Sequence, residues 1–160
     1  MLPRPQRPGG SSILIGGGGV KRTLPLVARY ANIWNAAGLA PEVFRERSAV
    51  LDTLLIAAGR QPGDVKRTMM TAQVFAPDKR TLEQRLRRDA PAGSADLPFD
   101  ELLAAHRANG WYKLIGTSDM IAEQLAACAA AGIEELMLQW FDLDDIDGLR
   151  TFAAQILPLA

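Results

Sequence analysis

The sequence is poor in the residues that usually announce a reactive centre. Across 160 residues it has one cysteine, Cys128, and one histidine, His106. A single cysteine excludes an intramolecular disulfide and any cysteine-rich zinc site, and it suits a cytoplasmic setting. An excess of charge of either sign is also missing, since 18 lysines and arginines balance 18 aspartates and glutamates. No global field therefore draws the chain to nucleic acid or to an anionic membrane. The one dense basic run, Lys79-Arg80 with Arg85, Arg87 and Arg88, lacks interleaved aromatics and reads as a solvated helix face. No apolar run approaches the roughly 18 residues needed to span a bilayer. The opening segment holds Pro3, Pro5 and Pro8 and no apolar stretch, so residues 1–11 are expected as a flexible arm rather than a secretory signal.

Glycine, by contrast, is concentrated in one place. Ile13-Leu14-Ile15 runs into Gly16-Gly17-Gly18-Gly19 and then Val20-Lys21-Arg22-Thr23. Three aliphatic residues, four glycines and a basic run read as a buried strand, a bare-backbone turn and a helix start. Without Cβ atoms such a turn can take positive φ and admit a ligand close to the main chain. The first amides of the helix point outward at the positive end of its dipole, which makes a ready anion site. Neither familiar glycine loop matches. The dinucleotide pattern needs glycine where Lys21 stands, and the P-loop needs a Gly-Lys-Ser/Thr closure that is absent. On the residues alone, a phosphate-binding turn and a ligand-free turn both stay open.

Periodicity orders the rest. Leu24, Val27, Ala28 and Ala31 recur at helical spacing, and Asn32–Asn35 follows as a short strand. Pro41 opens a helix whose inner side carries Phe44, Leu51 and Leu55 and which Gly59 ends. A third strand spans Thr68–Ala76, and its partial alternation is that of a strand covered on both faces. Asp78 starts a charged helix anchored by Leu82 and Leu86, and an insertion follows over about residues 90–112. It includes a helix from Phe99 to Asn109. Trp111–Ile115 reads equally as loop or strand. Thr117 is placed to cap the next helix, Ile133–Trp140 is the fourth strand, and Asp144 or Asp145 caps the last helix. Strand and helix thus alternate four times, an α/β fold of four parallel βα units. Such a set is half of an eight-stranded barrel or a small open doubly wound sheet. In both, ligands meet the loops after the strands, here Gly16–Arg22, Asn35–Ala40, Pro77–Lys79 and Phe141–Asp144.

No residue presents itself as a catalytic acid or base by pattern. His106 is the one histidine able to serve as such, and its place beside Leu102 and Leu103 also suits packing. Cys128 lies on the apolar face of an alanine-rich helix and reads as a small buried hydrophobe. Asp142, Asp144, Asp145 and Asp147 fail the spacing of a calcium loop, so no metal site is expected and helix capping explains them better. Trp34 and Trp140, at or near strand ends, are expected as cofactor or substrate wall.

The block Ile13–Asn35 resembles the luciferase-like flavin- and deazaflavin-dependent oxidoreductases. Leu114-Ile115-Gly116-Thr117-Ser118-Asp119, Ala130–Leu136 and Ile156-Leu157-Pro158 are similar to that family too. The first block favours the subgroup that uses coenzyme F420, a deazaflavin, over those using FMN. The family's fold is a (β/α)8 barrel of about 250 residues or more, and residues 12–160 are similar only to its second half. The resemblance implies that Gly16, Gly17, Gly18 and Gly19 hold the cofactor phosphate, with Lys21, Arg22 and Thr23 beside the same anion. It implies hydride transfer between the deazaflavin and a small organic substrate, or monooxygenation if the cofactor is FMN. A half barrel leaves its two outer strands unpaired, so a homodimer or a partner chain is expected to cover them. Two other readings are a non-catalytic half barrel serving as an assembly module or remnant, and a standalone phosphate-binding α/β domain.

Overall fold

The computed structural model describes residues 10–108 and 110–159, so most of the expected N-terminal arm lies outside the described residues. Strands and helices alternate as β1 (Leu14–Gly16), α1 (Thr23–Tyr30), β2 (Ile33–Ala37), α2 (Pro41–Ala57), β3 (Lys66–Phe75), α3 (Lys79–Arg88), α4 (Phe99–Arg107), β4 (Lys113–Gly116), α5 (Ser118–Ala130), β5 (Glu135–Gln139) and α6 (Ile146–Ile156). Every strand pairing is parallel. Parallel neighbours need a crossover between them, and the intervening helices supply it.

β3 is the centre of the sheet. Its residues Thr68–Met70 pair with both β2 and β5, and Ala72 pairs with both β4 and β5. A strand has two edges, so β2 and β4 must share one and β5 takes the other. Gly38 makes the join between β2 and β4. Its N–H donates to Met70 O at 2.9 Å, and its carbonyl accepts from Tyr112 N at 2.9 Å.

Four strands are expected from periodicity and five are present among the described residues. The added one is β4, in the segment whose sequence reads equally as loop or strand. Four residues, Lys-Leu-Ile-Gly, are too few to display a period of two; they become a strand because β2 stops at Ala37 and leaves the rest of that β3 edge free.

The two faces of the sheet differ. Trp34, Ala36, Met69, Phe75 and Leu114 join Leu24 and Val27 of α1, Phe44, Leu51 and Leu55 of α2, Ile121 and Cys128 of α5 and Phe152 and Ile156 of α6 in one buried cluster. On the other face, Val74 and Ile115 meet Leu82 and Leu86 of α3 and Leu102 and Leu103 of α4. α3 and α4 therefore cover that face over the C-terminal half of β3. Earlier on the same face, Leu14 is 44% exposed and Ile33, Met70 and Met137 are only partly buried. On that face of β3, Thr68 and Ala72 are buried while Met70 and Val74 are only partly so. β1 pairs with β2 alone and β5 with β3 alone among the described residues, so each has an open edge.

Local chemistry sets the boundaries. Asp78 accepts from Thr81 N at 2.8 Å, capping α3. Asp145 caps α6 by accepting from Gly148 N at 2.8 Å, while Thr117 occupies the cap position of α5 without a side-chain bond. Asp145 also accepts from Arg85 Nη2 at 2.5 Å. The Gly148 amide first, and Arg85 with it, hold the Asp145 carboxyl below the usual carboxylate range. A depressed folded pKa stabilises above the unfolded value of about 3.9 and is lost as pH falls through the folded one. Asp145→Ala is therefore expected to cost about 1 kcal/mol at neutral pH, the usual worth of a helix cap. Urea unfolding of both proteins should show that gap narrowing as pH drops below about 4. A gap that stays constant would contradict the assignment.

Among the described residues no helix is long and apolar enough to cross a membrane.

Candidate functional site

The glycine turn leaves β1 at the C-terminal end of the sheet. Gly17 takes φ +109°, a conformation L-residues rarely adopt, and its N–H donates to Asn35 O at 2.9 Å. Its carbonyl is held from below by Trp34 Nε1 at 2.7 Å. Gly19 O accepts from Thr23 N at 2.9 Å and Leu24 N at 3.0 Å, which starts α1. The amides of Gly18, Gly19, Val20, Lys21 and Arg22 have no partner among the described residues. No side chain caps α1 at Arg22. Side chains would crowd the inside of this turn: a Cβ on Gly19 would lie 3.1 Å from Thr23 Oγ1 and one on Gly18 would lie 3.3 Å from Leu39 Cδ1. Lys21 and Arg22 are exposed and neither side chain has a partner among the described residues. Five unpaired amides and two free cations fit an anion such as a phosphate.

Trp34 has a different place from the wall expected of it. It is fully buried on the helix side of the sheet, stacked on Phe44 with ring centroids 4.9 Å apart. Its one polar atom braces the turn, so its bearing on a ligand is indirect.

His106 is not brought to the turn. It is 6% exposed on α4, and its Nε2 lies 2.8 Å from Leu86 O. That bond requires a proton on Nε2. α4 packs beside β3 and β4, whereas the turn follows β1, two ladder spacings or about 10 Å across the sheet. Cys128 is 1% exposed, and burial pushes its thiol up, away from the reactive thiolate. The aspartates divide among separate tasks: Asp142 accepts from Arg88 at 3.4 Å, Asp147 from Arg150 at 3.0 Å, and Asp145 caps α6.

Periodicity missed a second feature. Two adjoining cavities, of about 230 and 250 Å³, sit at the C-terminal ends of β3 and β5 and share Lys113 and Phe141 in their walls. The first is completed by Gln73, Val74, His106, Arg88 and Trp140 among others, the second by Ala72, Trp111 and Gln139. Two buried side-chain atoms lack a partner among the described residues, Gln73 Oε1 and Trp111 Nε1, and their residues line one cavity each. Lys113 lies in the segment left ambiguous between loop and strand; an isolated lysine carries no pattern by which it could have been singled out.

These features define a parallel α/β fold with its candidate sites at the strands' C-terminal ends. No protein-family model matches the sequence, and no curated protein does. Solved structures do match. An F420-dependent secondary alcohol dehydrogenase in complex with an F420–acetone adduct has TM-score 0.68 and 18% identity, covering 98% of this chain and 50% of that one. A riboflavin lyase with modified FMN and riboflavin gives 0.69 and 15%, over 94% of this chain and 43% of that one. A monooxygenase from Streptomyces bottropensis gives 0.67 and 22%, over 99% and 51%. The chain spans about half the length of the proteins it matches. At these identities the likeness is one of fold alone, shared with about half of each of those chains.

Proposed function

We propose that this chain is the cofactor-phosphate half of a luciferase-like oxidoreductase. In this reading the amides of Gly18 to Arg22 hold the phosphate of coenzyme F420, with FMN the alternative. The unpaired amides at a turn braced by Trp34 are the observation that carries it. Lys21 and Arg22 would add charge at the anion, and Thr23 Oγ1 stands beside Gly19 as a further donor. When bound, a deazaflavin supplies hydride transfer to or from a small organic molecule, and FMN supplies oxygenation instead. The chain's own task is to anchor and orient the phosphate end. A cytoplasmic setting belongs to the same reading.

Gly18→Asp tests it. Gly18 is not in a positive-φ conformation, and its added Cβ would meet only the flexible end of Leu39, so the variant should fold. A carboxylate there opposes the cofactor's charge. Fluorescence titration of the wild type with F420 and FMN is expected to saturate, with affinity reduced roughly tenfold or more in the variant. Equal affinity in two folded proteins, or no saturable binding by the wild type, would overturn the proposal.

The open edges of β1 and β5 and the uncovered face between them favour a second element of the reading. We infer that the active form is a homodimer or a complex in which another chain covers those edges. Light scattering at micromolar concentration should give a mass above that of one chain. A clean monomer would rule this out, and a covered but redox-inactive assembly would support the non-catalytic half-barrel alternative.

A further inference from the structure

We propose that the two cavities on either side of Lys113 form a substrate subsite for a small organic acid, with the carboxylate on the Lys113 ammonium. This rests on the oxidoreductase reading above and adds to it the chemical class of the substrate.

The argument begins with where charge is and is not matched. Arg85, on the rim, is bound to Asp145 at 2.5 Å, and Arg88 pairs with Asp89 at 3.1 Å and Asp142 at 3.4 Å. Those three carboxylates outnumber the two arginines by one, so neither arginine is left for a ligand. Lys113 is different. It is half-buried, lines both cavities, and has no hydrogen-bond or ion-pair partner among the described residues. A lysine removed from much of its water without a counter-charge is costly, and a bound anion relieves that cost.

The neighbours say how much of the ligand is charged. Lys113 pairs in register with Ala72, which pairs in turn with Gln139, so the three share one face of the sheet. That face is the one opposite α1, α2, α5 and α6. Around the Lys113 ammonium stand Val74, Trp140, Trp111 and Phe141, the last 70% exposed. One positive charge in an apolar and aromatic surround matches a monoanion with an apolar body better than a phosphate, which needs more donors.

Calorimetric titration with phenylacetate and with its neutral amide, phenylacetamide, tests the proposal on the wild type, Lys113→Gln and Lys113→Arg. The acid is expected to bind the wild type, to weaken with added salt, and to lose roughly tenfold or more in Lys113→Gln. Lys113→Arg should keep most of that affinity, and the amide should bind weakly to all three. Equal binding of acid and amide, an unaltered affinity in Lys113→Gln, or no acid binding by the folded wild type would each overturn it. F420 titration of Lys113→Gln separates the two readings. Cofactor binding without acid binding removes the subsite alone, whereas acid binding without cofactor binding removes the glycine-turn reading and leaves the acid site standing.

Discussion

Gly38→Ala is expected to be among the most damaging single methyl additions in this chain. Gly38 sits at φ +53°, and a Cβ built there would lie 2.4 to 2.6 Å from three atoms of the Trp111 indole. The glycine cannot move aside, because its N–H and carbonyl are both engaged, with Met70 and Tyr112. A left-handed conformation costs an L-residue about 1–2 kcal/mol, and overpacking adds about 1–3 kcal/mol. A loss of about 3 kcal/mol in urea unfolding is therefore expected. Because Gly38 joins β2 to β4 and Trp111 walls one of the cavities, acid binding should fall with stability. A variant as stable as the wild type would mean that Trp111 can leave Gly38 freely, contrary to the packing described.

Trp34→Ala is the second large effect, and it links the core to the turn. The indole is fully buried, stacked on Phe44 and bonded to Gly17 O at 2.7 Å. Removing a buried aromatic of this size costs about 3–5 kcal/mol. Trp34→Phe separates its two roles, since the ring on Phe44 is largely kept while the donor to Gly17 is lost. Trp34→Phe should unfold about 2–3 kcal/mol more easily than the wild type, from one lost hydrogen bond and the smaller ring. It should bind cofactor several-fold more weakly, because the turn is no longer held. Unaltered cofactor affinity in Trp34→Phe would show that the brace does not matter to the site.

Much of this arrangement was legible in the sequence where the pattern was long or the chemistry local. The helix after Gly19, Pro41 opening α2, an aspartate at 144 or 145 capping α6 and the β3 run were all readable, because periodicity over many residues or a cap residue decides them. β4 was not, since a four-residue strand is made by the free edge of β3 rather than by its own alternation. Trp34 was misplaced as a ligand wall for a similar reason. Its position near a strand end is visible in the sequence, but the face it takes depends on the pairing register with β3. The glycine turn stood out because four consecutive glycines have few other uses. Lys113 could not, because what sets it apart is having no partner among the described residues, a property of the fold alone.

The central claim is that the amides after β1 hold a phosphate. Amide chemical shifts of isotope-labelled protein, followed during addition of F420, test it most directly. Large shifts at Gly18, Gly19, Val20, Lys21 and Arg22, saturating with the fluorescence titration, are the expected result. Saturable binding with those five amides unmoved, and shifts gathered elsewhere, would contradict it.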